Sequence, residues 1–253
     1  AKSLIVRPQG MDYMTLAERH LERAVELEPD FTPPYPFLIG SYNSARKNTT
    51  PGLNREEGSV RALMLARQFL MRDARNPAAH LALAWCLIRM RQFDLAEQSL
   101  EHAVDLGPYE PTRLNSIGTA YVYLGELDRG QSFYDLARKR SINDLDYAPT
   151  DMGELCYFRR DFEKAAEYLT LGELRNPLRP LVLRAAALAQ LGRLREAREA
   201  AARALDIFRD HWHGTAPYTP KAAIRWYVDD FAMKRQIDLD NVIEGLTKAG
   251  FEL

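Results

Sequence analysis

Residues 114–130 read LNSIGTAYVYLGELDRG, and their spacing decides the fold. Leu114, Ile117, Gly118 and Tyr121 recur three or four positions apart, the signature of one helix face. Gly125 interrupts the pattern, and a second helical pattern begins near Asp128, whose distance from Gln131 is that of an N-cap and its partner. Two short helices joined by a tight turn are therefore expected here. Thr15 with Glu18, and Asp94 with Glu97, repeat the capping spacing at other second helices.

The same grammar recurs along the chain. The second-helix stretches MTLAERHLERAVELEP (14–29), SVRALMLARQFLMRDA (59–74), FDLAEQSLEHAVDLGP (93–108), LDRGQSFYDLARKRSI (127–142), FEKAAEYLTLGELRNP (162–177) and LREAREAAARALDIFR (194–209) align. One small residue stands early in each: Ala17, Ala62, Ala96, Gly130, Ala165 and Ala197. The last four spacings are 34, 34, 35 and 32 residues. A second column lies seven residues on, two helical turns, at Ala24, Phe69, Ala103, Ala137, Gly172 and Ala204. Small side chains on one face let a neighbouring helix come close, and bulky residues on the preceding helix, such as Tyr35, Leu38 and Tyr42, fill the space. Gly125 and Gly192 separate helices within pairs, and Pro29, Pro108 and Pro177 close them.

On these residues the chain resembles the tetratricopeptide repeat family over about residues 15–209. Met152 and Gly153 ahead of Cys156, and Ala74 in place of a closing proline, depart from its pattern. The resemblance implies an all-α fold, a right-handed solenoid of helix-turn-helix units with C-terminal capping helices. The expected organisation is a repeat array over 1–209, about five repeats with the first partial and an insertion at 46–59, then a connector and capping helices over 210–253. Only AKSLIVR precedes Pro8 and Gly10, which suggests a piece of a longer protein. In the cap, Thr219 and Pro220 start one helix with an apolar face at Ile224, Tyr227, Val228 and Phe231; Leu239, Val242, Ile243 and Leu246 form the face of the last. The closing DLDNVIEGLTKAGFEL resembles tails of bacterial tetratricopeptide regions attached to class III adenylate cyclases and related signalling or transcription regulators.

Composition narrows the function. With 46% hydrophobic and 27% charged residues the 253-residue chain is globular, and 34 basic against 35 acidic residues give no global field toward nucleic acid or membrane. Cys86 and Cys156 are isolated in apolar stretches and read as core residues. No membrane-spanning run or leader is legible, so a cytoplasmic setting is expected. The Asn48-Thr49-Thr50 triplet is discounted as a glycosylation site.

No phosphate loop, nucleophile elbow or metal motif occurs, so neither catalysis nor a cofactor is expected. His211 and His213 flank Trp212 without a third metal ligand, and His20, His80 and His102 read as structural. Arg179, Arg184, Arg193, Arg195, Arg198, Arg203 and Arg209 are interrupted by Glu196 and Glu199, the pattern of a solvated, ion-paired helix face more than of a phosphate track.

The resemblance places binding on the concave wall made by first helices: Leu81, Trp85, Ile88, Asn115, Thr119, Tyr123, Thr150, Glu154, Tyr157, Val182 and Ala186. No lysine stands there, which argues against a carboxylate clamp. The expected role is a protein or peptide interaction scaffold, the regulatory or sensory domain of a larger bacterial signalling protein, gripping an apolar or amphipathic segment through Trp85 and Tyr157. The alternative is a small-ligand or peptide receptor domain of a transcription regulator.

Overall fold

The computed structural model describes residues 11–45, 55–141, 148–174, 177–212 and 216–253. All regular structure among them is helical: α1 (Met11–Leu27), α2 (Tyr35–Gly40) running into a π-helical turn (Ser41–Ala45), α3 (Arg55–Arg72), α4 (Pro77–Arg89), α5 (Phe93–Asp105), α6 (Pro111–Tyr123), α7 (Leu127–Arg140), α8 (Pro149–Phe158), α9 (Phe162–Gly172), α10 (Leu178–Gln190), α11 (Leu194–Asp210), α12 (Pro220–Val228) and α13 (Gln236–Lys248). The fold is all-α and of tetratricopeptide type, as the sequence implies. It divides into two compact units, residues 1–108 and 109–253.

In the first unit α2 packs on α3 through Tyr35, whose ring stacks on Phe69 at 5.3 Å. Ala62, Ala66 and Leu38 complete that buried cluster. Phe69 is thus the bulky occupant of a column that is small elsewhere, facing the short α2. The α4–α5 hairpin follows, with Ala96 and Ala103 fully buried. Its first helix starts at a proline behind Asn76, whose side-chain oxygen accepts a hydrogen bond from the Ala78 N–H at 3.0 Å. Cys86 of α4 is buried in the cluster that holds Tyr35 and Phe69.

In the second unit the hairpins α6–α7, α8–α9 and α10–α11 pack by the small-against-large rule. The α6–α7 pair shows why: a Cβ placed on Gly118 would stand 2.7 Å from the Tyr134 ring and 2.9 Å from the Gly130 carbonyl oxygen. Only hydrogen fits between those backbones, so both columns are fixed by contact distance. Cys156 is buried in α8.

The four hairpin turns share one construction. Gln92, Glu126, Asp161 and Arg193 each donate a backbone N–H to the carbonyl five residues back, at 2.9 Å. The residue before each donor is left-handed: Arg91, Gly125, Arg160 and Gly192. The sequence marks this turn with glycine twice and conceals it under arginine twice.

Several sequence expectations need correction. Asp94 and Asp128 are not N-caps; α5 and α7 begin one residue earlier, behind Gln92 and Glu126, which make no side-chain cap bond, so both aspartates sit in the first turn. Thr15 falls inside α1. Of the insertion expected at 46–59, residues 55–59 belong to α3, and 46–54, with Asn48, lie outside the described residues. Thr219 does cap α12, accepting from the Ala222 N–H at 3.0 Å.

Candidate partner-binding face

The first helices α4, α6, α8 and α10 carry the residues expected to line a binding wall, and the two units present them separately. In the first unit Ile88 is fully buried and Leu81 nearly so, while Trp85 stays partly exposed with the Arg89 guanidinium 5.8 Å from its ring centre. Trp85 therefore offers the accessible aromatic surface on α4.

In the second unit Asn115, Thr150 and the neighbouring Asp151 keep exposed surface, and Thr119 is almost closed. Tyr123, Glu154, Tyr157, Val182 and Ala186 are buried. The open residues cluster toward the N-terminal ends of α6 and α8, where Asn115 donates from Nδ2 to Asp151 Oδ2 at 2.7 Å. Deeper in, Thr119 Oγ1 donates to the Asn115 carbonyl at 3.1 Å and accepts from Tyr134 Oη at 3.0 Å.

Beneath this mouth lies a buried charge cluster. The Arg179 guanidinium pairs with Glu154, with Nη2 to Oε2 at 2.6 Å, and donates to Tyr123 Oη at 2.7 Å. Tyr227 Oη donates to the Arg179 carbonyl at 3.1 Å and ties α12 to α10. Asp151, bonded to Asn115, adds a second carboxyl within electrostatic reach of the same guanidinium. Burial outweighs the pull of Arg179 and pushes the Glu154 carboxyl up to about 7, with Asp151 and Asp230 adding repulsion. Burial raises Asp151 as well, against the opposing Arg179 and Asn115.

Arg179 was grouped by sequence with a solvated basic face, and its burial corrects that reading. Arg184 is also largely enclosed, paired with Glu173 at 2.5 Å. Four of the other arginines follow the expected pattern: Arg193 pairs with Glu163 and Glu196, Arg195 with Glu199, Arg203 with Glu173, and Arg209 with Asp206 and Asp210. Such exposed pairs each stabilise by less than about 1 kcal/mol.

Part of the expected wall is covered from within. Tyr157 Oη donates to the Asn241 carbonyl of α13 at 2.9 Å, and Gly245 of α13 lies against Tyr157 and Ala186. The sequence expects Leu239, Val242, Ile243 and Leu246 as the packed face of this helix. Val242 and Leu246 are buried, but Leu239 and Ile243 are only partly so, and Asp238, Asn241 and Gly245 are buried instead. No periodicity reveals this rotation, because the buried set is polar and small.

His211 Nδ1 lies 3.0 Å from the Ile207 carbonyl oxygen, and His213 lies outside the described residues. The rings of His80 and His102 stand 5.5 Å apart, and His20 is exposed. Among the described residues no group of three or more His, Cys, Asp or Glu is placed to hold a metal ion. No described helix is long and apolar enough to cross a membrane.

The α4–α5 hairpin, with its paired helices, shared turn and small-residue columns, coincides with a match to the tetratricopeptide repeat family over residues 77–109. Repeats of this family generally mediate protein–protein interaction. Solved structures show the same fold: a human IFIT1 dimer with m7Gppp-AAAA is similar at 15% identity and a TM-score of 0.64, over 94% of this chain and 59% of that one. The Cut9–Hcn1 hetero-tetramer of APC/C is similar at 14% identity and 0.51, over 93% of this chain and 40% of that one. YrrB, a tetratricopeptide protein with an unusual peptide-binding site, is similar at 18% identity and 0.43, over 76% and 93%. At such identities the IFIT1 and Cut9–Hcn1 likenesses are ones of fold alone. No curated protein sequence matches the chain.

Proposed function

We propose that this chain is a protein- or peptide-binding scaffold whose first-helix faces grip a partner segment, and that it serves as the regulatory domain of a larger bacterial signalling protein. The observation that carries the reading is the kind of surface these helices leave open. Trp85 in one unit and Asn115, Thr150 and Asp151 in the other are partly exposed, an aromatic ring and a group of polar side chains on first helices. An aromatic side chain and a small set of oriented polar groups are what peptide recognition on a helical repeat needs. The tail 238–253, with its likeness to tetratricopeptide regions of bacterial signalling proteins, supports the wider setting.

The test uses a partner captured by cross-linking and identified by mass spectrometry, then titrated calorimetrically against the purified chain. Trp85→Ala and the double variant Asn115→Ala/Thr150→Ala are each expected to weaken binding by about 1 to 3 kcal/mol, roughly 5- to 150-fold, while the helical signal is retained. Unchanged affinity in both folded variants refutes the assignment of these faces.

A further inference from the structure

The hydrogen bonds at the mouth between α6 and α8 have a direction. Asn115 Nδ2 donates to Asp151 Oδ2 at 2.7 Å, Thr119 Oγ1 donates to the Asn115 carbonyl at 3.1 Å, and Tyr134 Oη donates to Thr119 at 3.0 Å. Arg179 Nη2 donates to Glu154 Oε2 and to Tyr123 Oη. The amide, the two hydroxyls and the guanidinium are thus already donating, and acceptors remain. Asn115 Oδ1 and Glu154 Oε1 are enclosed and receive no hydrogen bond, although Arg179 Nε faces Glu154 Oε1 as an ion pair. Asp151, partly exposed, accepts from Asn115 alone. Turning the Asn115 amide over gives no remedy, since its oxygen would then meet the Asp151 carboxylate.

The sign of the mismatch sets this cluster apart. Beneath α13 the unmatched atoms are one acceptor, Asp238 Oδ2, and one donor, Asn241 Nδ2, whereas here both are acceptors. Burial also raises the Asp151 and Glu154 carboxyls despite the opposing pull of Arg179, as it does where nearby positive charge is too small to offset desolvation. A cluster of this kind is completed by a group with several donors, no acceptor and a positive charge, a condition that the lysine ammonium and the arginine guanidinium meet. The ammonium is the compact one, at the end of a slender aliphatic stem. The way in favours it, with Thr119 only 7% exposed behind the partly exposed Asn115 and Thr150. A divalent metal ion asks for about six oxygens, and among the described residues no group of three or more His, Cys, Asp or Glu is placed to hold one.

We propose that the mouth between α6 and α8 is a site for a primary ammonium group, presented as a lysine side chain of the partner segment. The stem passes the Asn115 and Thr150 side chains at the rim, whose rotamers open the way, and the ammonium donates to Asp151, Asn115 Oδ1 and Glu154 Oε1. This inference rests on the reading that the first-helix faces take a partner segment, and names the side chain that this face takes.

The probe is Nα-acetyl-lysine methylamide, titrated into the isotopically labelled full chain and followed by NMR at the Asn115 side-chain amide and the Thr119 and Thr150 backbone amides. The norleucine and arginine methylamides are titrated beside it. The lysine compound is expected to shift these signals saturably. The norleucine compound, which has a similar stem without the charge, is expected to leave them in place, and the arginine compound to bind at least about threefold more weakly. Asp151→Asn, which keeps an acceptor for Asn115 Nδ2, is expected to lower the lysine affinity about tenfold or more. Absence of a saturable shift overturns the site, and so does equal binding of lysine and norleucine. Equal binding of lysine and arginine shows general attraction to an acidic surface and overturns it too, as does an Asp151→Asn chain that binds lysine unchanged. If Asp151→Asn fails to fold, the comparison of the three compounds on the unaltered chain decides. No captured partner enters these measurements, so their failure leaves the affinity losses expected for Trp85, Asn115 and Thr150 standing. Lysine bound here, with partner affinity unchanged in those variants, removes the partner reading and keeps the ammonium site.

Discussion

The α6–α7 hairpin and the C-terminal helix α13 both pack on first helices of the same unit through a close glycine and a tyrosine hydroxyl, and differ in what they bury beside them. Between α6 and α7 Gly118 lies against Gly130, and Tyr134 fills the gap beside them and donates its hydroxyl to Thr119 at 3.0 Å. Beneath α13 the contact is polar, with Asp238 and Asn241 enclosed and a glycine meeting a tyrosine hydroxyl. The first kind of contact derives its stability from shape and tolerates no added atom. The second also encloses Asp238 and Asn241, so its stability depends in part on how those polar groups are paired.

The sharpest way to break the contrast is Gly118→Val. Two backbones and the Tyr134 ring leave no room for the new methyl groups, and a loss of about 3 kcal/mol in urea unfolding is expected. A loss below about 1 kcal/mol means that the hairpin yields more easily than its contacts say.

The charge cluster between the two contacts responds to pH. The folded Glu154 carboxyl, at about 7, sits above its unfolded value of 4.5. The folded state therefore holds the proton more tightly, and this contribution to stability is complete below about 4.5 and is lost as pH rises through 7. It spans about 1 to 3 kcal/mol. Glu154→Gln keeps a neutral acceptor for Arg179 and is expected to flatten the melting temperature across that window. A pH profile with the same slope in the variant excludes Glu154 as its source.

The smallest effect is expected at the polar seat itself. Asn241→Leu removes a buried amide nitrogen with no partner, and although Gln190 loses a contact at 3.2 Å, the net change is expected to stay within about 1 kcal/mol of zero. A loss above about 2 kcal/mol in chemical denaturation would place α13 in the same class as the hairpins.

Legibility in the sequence followed this division. The columns at Ala96, Gly130, Ala165 and Ala197 were readable because close helix approach demands the same small residue at every repeat. The turns at Arg91 and Arg160 were not, since a left-handed residue need not be glycine when the surrounding hydrogen bonds impose the conformation. Among the wall residues, Trp85, Asn115 and Thr150 keep partly exposed surface, while Tyr157 and Ala186 lie beneath α13. Their covering could not be foreseen, because α13 is rotated to bury Asp238 and Asn241 in place of the leucine and isoleucine that periodicity selects. Arg179 escaped for a related reason: nothing in its neighbours separates an arginine drawn inward by Glu154 from one left in solvent.

The two cysteines have a practical consequence. Each compact unit holds one buried thiol, Cys86 in the first and Cys156 in the second. Burial pushes the Cys86 thiol up to about 12 and raises Cys156 as well, so little reactive thiolate exists at neutral pH while the chain is folded. An alkylating reagent then modifies each sulfur at the pace of opening around it, and peptide mapping of the adducts would time the fraying of either half without any added label.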